Sequence, residues 1–170
     1  MKIAIYGGSF DPPHLGHYNI VLEALKKLDI QKLIVLPNFQ NPWKTTTKFK
    51  PQKRLELLKK LFSTFPKVEI SDFEISNGRP TKTIESMRYF SKRYSDIYFI
   101  IGADNLEKLE KWDNFDELEE MITFIIATRG DIQIPKKYLK LEVDFPISST
   151  ELRENFDMQK IPEKIRDQFS

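Results

Sequence analysis

The sequence predicts one α/β domain organised on a doubly wound parallel sheet. Short β-branched and aromatic runs alternate along the chain with stretches of helical periodicity, the order that a parallel sheet sandwiched between helices requires. The runs are apolar throughout rather than alternating with polar residues, as strands buried on both faces are. A length of 170 residues suits one compact unit with a sizeable core, and no internal repeat or linker interrupts it, so residues 1–170 are read as one domain.

Strands are expected at Lys2–Tyr6, Lys32–Leu36, Val68–Ile75, Asp96–Ile101 and Ile122–Ala127, with a sixth near Leu139–Val143. Between the first two, Leu15, Tyr18, Val21, Leu22, Leu25 and Leu28 recur at helical spacing. Leu55, Leu58, Leu61, Phe62 and Phe65 do the same before the third strand, and a further helix is expected over roughly Lys82–Tyr94. From Ser148 to Gln168 the chain reads as one or two short terminal helices interrupted at Pro162.

Composition excludes several classes of function. There is no cysteine, which removes disulfides, thiolate nucleophiles, Cys-ligated zinc and iron–sulfur clusters. Lys and Arg number 27 against 25 Asp and Glu, a net charge of +2, too small a field to imply a nucleic-acid partner or an anionic membrane. The longest apolar runs, such as Ile97–Ile101, have the length of strands rather than membrane spans, and the N-terminus lacks the apolar stretch of a signal peptide. A cytoplasmic location is therefore expected. Locally the charge is uneven: Lys44–Lys60 carries seven basic residues against one acidic, and Asp104–Glu120 eight acidic against two basic. Both segments read as solvated faces, and the basic one also as a surface that draws anionic substrates toward the adjoining loop.

The first strand runs directly into GGSFDPPHLGH, residues 7–17, and then into the first helix. Two glycines let the backbone approach a ligand, and a helix N-terminus offers free N–H groups to an anion. The only two histidines of the chain, His14 and His17, stand here three residues apart. Three readings compete. The pair caps the helix entry or packs locally; it binds a metal, with Asp11 as the nearby third ligand; or its imidazoles donate hydrogen bonds to a phosphoryl group, where positioning and charge stabilisation account for most of the catalysis. The candidate residues further along, in Pro37–Lys44, Gly102–Asp104 and Thr128–Gly130, follow the carboxyl ends of predicted strands, the edge at which open parallel sheets bind ligands.

His14-Leu15-Gly16-His17 resembles the signature of the HxGH nucleotidyltransferases, and Ile147-Ser148-Ser149-Thr150-Glu151-Leu152-Arg153 resembles their later ISSTxxR stretch, more than 130 residues away. Within that superfamily, GADNLEKLEKW (Gly102 to Trp112) and GRPTKT (Gly78 to Thr83) resemble the bacterial nicotinate mononucleotide adenylyltransferases. The resemblance extends to about Phe156. It implies a Rossmann-like nucleotidyltransferase fold and the joining of nicotinate mononucleotide to the α-phosphate of ATP, with release of pyrophosphate. It implies Mg²⁺ bound mainly through the ATP phosphates, no metal held by the protein itself, and no covalent enzyme intermediate.

By the same resemblance, His17, His14 and Lys44 are catalytic. Gly8, Ser9, Phe10, Ser149, Thr150 and Arg153 hold ATP, whose adenosine Gly102 and Asp104 border. Asn38 and Arg129 grip the phosphate of the mononucleotide, Trp112 stacks on the nicotinate ring, and Thr83 with nearby N–H groups receives the pyridine carboxylate. Each has a plainer reading: Ser148 and Glu151 have capping-box spacing, Asp104 suits a helix cap, Arg129 a surface charge and Trp112 core packing. The chain departs from the family pattern at Pro42-Trp43-Lys44, where Pro-His-Lys is frequent, and at Ile84-Glu85-Ser86, where Asp-Thr is usual. Expected partners are therefore ATP and nicotinate mononucleotide, with a homo-oligomer left open. The alternatives are a sibling transferase acting on nicotinamide mononucleotide, pantetheine phosphate or glycerol phosphate, and a non-catalytic nucleotide-binding regulator; the Trp112 segment argues against pantetheine and glycerol phosphate, and the presence of His17 and Arg153 against the regulator.

Overall fold

A computed structural model describes residues 1–40, 49–143 and 160–169. The chain runs β1 (Lys2–Gly8), α1 (Leu15–Lys27), β2 (Lys32–Pro37), α2 (Pro51–Leu61), β3 (Val68–Ile70), α3 (Phe73–Ser76), α4 (Thr83–Ser91) and β4 (Asp96–Gly102). A 3₁₀ turn (Ala103–Asn105), α5 (Leu106–Leu109), α6 (Phe115–Met121), β5 (Thr123–Ala127), β6 (Leu139–Leu141) and a terminal 3₁₀ helix (Glu163–Phe169) follow.

Every strand pair is parallel, in the order β3-β2-β1-β4-β5-β6. The chain starts in the middle, winds outward to β3, then crosses back over β1 to build the other half. The expected doubly wound sheet is therefore present, with its topological switch point between β1 and β4. Side chains alternate along each strand and serve a separate core on each face. Ala4, Tyr6, Leu33, Val35, Ile100 and Ile125 pack against α1, α2 and the terminal residues Ile161 and Ile165. Ile3, Ile5, Ile34, Leu36, Phe99 and Ile126 pack against α4, α5 and α6.

Two segments differ from the sequence expectation. The strand read over Val68–Ile75 stops at Ile70, because Ser71 and Asp72 turn the chain: the Ser71 hydroxyl accepts from Phe73 N–H (3.3 Å) and the Asp72 carbonyl from Ser76 N–H (2.7 Å). The acidic stretch after Gly102, read only as a charged face, folds into the 3₁₀ turn, α5 and α6, which bury Ala103, Leu109 and Leu118. The terminal helices were expected from Ser148 onward; residues 144–159 lie outside the described residues, and the part after Pro162 is 3₁₀.

Candidate active site

The carboxyl ends of β1 and β4 diverge at the switch point, and α1 begins beside them. His14 is the N-cap of α1 and His17 its third residue, and the two form a reciprocal box. His14 N–H donates to His17 Nδ1 (3.1 Å), and His17 N–H donates to His14 Nδ1 (3.3 Å). The rings lie stacked, centroids 3.6 Å apart and 16° from parallel. The capping reading of the pair is thus right, and it has a chemical consequence. An imidazole whose Nδ1 accepts a backbone hydrogen bond is neutral only with its proton on Nε2. Burial holds both rings neutral, pushing His14 down to about 3 and His17 well below its ordinary value; the charge of Arg129 adds to the effect on each. His14 is 1% exposed, and its Nε2 is buried with no hydrogen-bond partner among the described residues. The box therefore fixes two Nε2–H groups side by side as neutral donors. Asp11, the nearby ligand of the metal reading, is buried, and its Oδ1 accepts from Phe49 N–H at 2.7 Å.

The first loop leaves β1 through Gly7 and Gly8, which still belong to the strand. A Cβ on Gly7 would stand 2.8 Å from Phe99 Cζ, so a side chain there would displace the neighbouring strand's core ring. Phe10 adopts a left-handed φ of 52°, uncommon for a bulky residue, yet is almost wholly buried, edge-on to the His17 ring at 4.7 Å. Asn38, just past β2, donates its N–H to Gly8 O (2.9 Å) and its Nδ2–H to Ser9 Oγ (3.3 Å). Its Oδ1 is buried and unpartnered among the described residues.

Sequence reasoning missed Arg54. This residue of α2 is completely buried, and its guanidinium donates to the carbonyls of Ser9 (2.6 Å), Asn38 (2.8 Å), Phe39 (2.7 Å) and Phe49 (3.2 Å). Arg54, Leu58 and Leu61 lie on one helical stripe, so an arginine at a core register was the available signal, hidden inside a basic run. Glu74 was also missed: it is 7% exposed and accepts a hydrogen bond from Ser86 Oγ of α4 at 2.7 Å. Burial pushes its carboxyl up to about 7.

Across the switch point, Gly102 precedes the 3₁₀ turn; a Cβ there would stand 2.7 Å from Asp104 Oδ1. Asp104 pairs with Arg129, which follows β5, at 3.0 Å. The side chains are 55% and 34% exposed, so the pair is a weak one. Trp112 is half-buried, standing edge-on to Phe99 and Phe124 with both ring centroids 6.4 Å away, and so joins the core while keeping part of its surface open. Thr83 is the first residue of α4 and is half-buried. Lys82 before it pairs with Asp113 (3.0 Å), tying the start of α4 to the Trp112 segment. Glu85 caps α4 through Lys82 N–H (2.9 Å) and pairs with Arg79. The structure thus gathers His14, His17, Gly8, Ser9, Phe10 and Asn38 around the start of α1, and pairs Asp104 with Arg129. It links Thr83 to the Trp112 segment separately, on the α4 side of the sheet. Lys44, Ser149, Thr150 and Arg153 lie outside the described residues.

Residues 5–155 match the model of the cytidylyltransferase-like family. A protein of Sulfurimonas denitrificans named "Probable nicotinate-nucleotide adenylyltransferase" is 47% identical over 163 residues, covering 95% of this chain and 89% of that protein. One of the same name from Campylobacter jejuni is 47% identical over 170 residues, covering 99% and 94%. Among solved structures, the nicotinic acid mononucleotide adenylyltransferase of Plasmodium falciparum, complexed with NaAD, superposes with a TM-score of 0.75 at 26% identity, covering 94% of this chain and 88% of that one.

Proposed function

The chain belongs to the cytidylyltransferase-like family and, within it, to the nicotinate-nucleotide adenylyltransferases, and from that premise we infer how its residues divide the work of the reaction. The enzyme transfers the adenylyl group of ATP to nicotinate mononucleotide, a step of NAD biosynthesis. A 5′-phosphate oxygen of the mononucleotide bonds to the α-phosphorus of ATP, the bond from that phosphorus to the bridging oxygen breaks, and pyrophosphate leaves with the electron pair. Nicotinate adenine dinucleotide is the product.

The observation that carries the division of roles is the pair of neutral Nε2–H donors held at the start of α1. Phosphoryl transfer needs charge stabilisation and alignment rather than a protein nucleophile, and fixed donors supply both without reorganising. His17 and His14 donate to the transferring phosphate, assisted by Lys44. Gly8, Ser9, Phe10, Ser149, Thr150 and Arg153 hold ATP, and Gly102 and Asp104 border its adenosine. Asn38 and Arg129 hold the mononucleotide phosphate, the Arg129 guanidinium exchanging Asp104 for it. Trp112 stacks on the pyridine ring, and Thr83 with the free N–H groups opening α4 receives its carboxylate. Mg²⁺ bound through the ATP phosphates would neutralise part of their charge. No helix among the described residues is long and apolar enough to cross a membrane. A cytoplasmic site of action, where ATP is drawn upon, accords with the reaction.

A carboxylate only accepts hydrogen bonds, whereas an amide would turn its own hydrogens against the α4 donors. Purified protein with ATP and Mg²⁺ is expected to give at least about tenfold higher kcat/KM with nicotinate than with nicotinamide mononucleotide. Trp112→Ala is expected to weaken mononucleotide binding by about 1–3 kcal/mol and leave ATP affinity intact. No dinucleotide from either substrate would overturn the reaction. A ratio near one, or unchanged mononucleotide affinity in the mutant, would overturn the pyridine site.

A further inference from the structure

Arg54 is an unusual residue to bury. Its guanidinium is fully enclosed, and four main-chain carbonyls converge on it from three separate segments: Ser9 after β1, Asn38 and Phe39 after β2, and Phe49 ahead of α2. A carbonyl does not turn alone. The peptide unit is planar, and in a trans unit the C=O and the following N–H point in opposite directions. The Ser9 carbonyl aimed inward at Arg54 therefore aims Phe10 N–H outward, and the Asn38 carbonyl does the same for Phe39 N–H. Neither amide donates to a protein acceptor among the described residues. Asn38 is held at its other end as well, its N–H on Gly8 O, so the two loops are tied to each other besides being tied to Arg54. Phe10 keeps its left-handed backbone within this same clamp. Two amides turned away from the same guanidinium and donating to no protein acceptor among the described residues are the kind of main-chain donor an anion takes.

We propose that Arg54 is a positioning residue that sets the Phe10 and Phe39 amides as a pair of phosphate donors beside the histidine box, without itself touching substrate. This rests on the adenylyltransferase reading for the identity of the phosphate, and adds the main-chain donors and the side chain that orients them. Arginine suits the task because its planar fork reaches several carbonyls at once, whereas a lysine ammonium would hold fewer in a fixed geometry.

Two measurements test this. The first uses the wild-type protein labelled with ¹⁵N at its 13 phenylalanines and titrated with inorganic tripolyphosphate. The Phe10 and Phe39 amide signals are expected to move downfield saturably while Phe62, past the far end of α2, stays in place. Stationary Phe10 and Phe39 signals at saturation would overturn the proposal, whatever the variants do. The second compares Arg54→Lys and Arg54→Met, each verified as folded by circular dichroism at the assay temperature. Misdirected amides are expected to raise the KM for ATP about tenfold or more. A merely structural arginine would lower the melting temperature and leave that KM alone, so a KM within twofold of wild type in a folded variant would overturn the proposal. If wild type forms no dinucleotide from ATP with either mononucleotide, the functional reading falls, and the tripolyphosphate titration still decides the amide pair.

Discussion

His17 does two jobs with its two ring nitrogens, and removing the ring separates them. Nδ1 accepts the His14 amide, and loss of a capping acceptor costs about 1 kcal/mol, or about 2–4 °C in melting temperature for a chain of this size. Nε2–H is the proposed phosphate donor, and loss of preorganised transition-state stabilisation is expected to lower kcat by about two to four orders of magnitude. His17→Ala should therefore remain folded with kcat reduced on that scale; near-normal kcat would contradict the assignment. The same geometry makes a statement about pH. Both rings are held neutral by burial, His14 down to about 3, so kcat is expected to show no histidine inflection between pH 5.5 and 7.5, and a pH–rate profile with a step near the ordinary value of 6.5 would contradict it. For stability the sign is that of a depressed pKa: the unfolded histidine takes up its proton first, so the contribution is present above pH 6.5 and is progressively lost as pH falls toward 3. At this scale the histidine pair was legible from spacing alone, since the helix N-terminus and both rings fall within four residues. Arg54 was not, because its hydrogen bonds go to main-chain carbonyls, which no side-chain pattern announces, and a basic run disguised it. Capping by the pair was one of the readings the sequence offered, but its reciprocal form was not, and only the two backbone bonds to Nδ1 show that it sets the tautomer.

Glu74 joins α3 to α4 through Ser86, and its carboxyl is pushed up to about 7 by burial, against which the Ser86 hydrogen bond works in the opposite direction. For an acid whose folded pKa is raised, the stabilising contribution is present below its ordinary value of 4.5 and is lost as pH rises through 7. Glu74→Gln keeps the shape and removes the titration. The melting temperature of wild type, measured against this variant, is therefore expected to fall between pH 5 and pH 8; a difference that stays constant would show that the carboxyl does not titrate there. The same element shows why strand ends were misplaced. Val68, Ile70 and Phe73 to Ile75 look like one continuing apolar run, yet the Ser71–Asp72 hydroxyl and carbonyl offer the backbone local partners that a strand would have to forgo. α5 and α6 escaped notice for a different reason: each is short, with four and seven residues, and each buries a single leucine, too little to raise a helical period above a background of charge.

Alternation of strands and helices made the doubly wound sheet legible across the whole molecule, because strands covered on both faces must be apolar on both faces. Which strands lie side by side is a different matter: that β1 sits between β2 and β4 depends on packing between residues about 90 apart, for which a single sequence offers only the general rule. The candidate site draws on both halves of that sheet, with His14 and Asn38 on one side of the β1–β4 seam and Asp104 and Arg129 on the other. A ligand spanning the seam binds only the completed fold. A non-hydrolysable ATP analogue at about 100 times its Kd is expected to add about 2.7 kcal/mol of stability, raising the melting temperature by about 5–10 °C in a fluorescence-monitored melt. No rise at saturation would place ATP elsewhere. The order of the strands also sets a timetable for the newborn chain. β1 leaves the ribosome first and finds β2 within the next thirty or so residues, but its other edge waits for β4, which ends at Gly102. At roughly 5–20 residues per second, that apolar edge stays bare on the order of 5 to 20 s. A chain released early would carry the finished histidine pair beside an open strand edge, prone to stick to its neighbours and unable to turn over substrate.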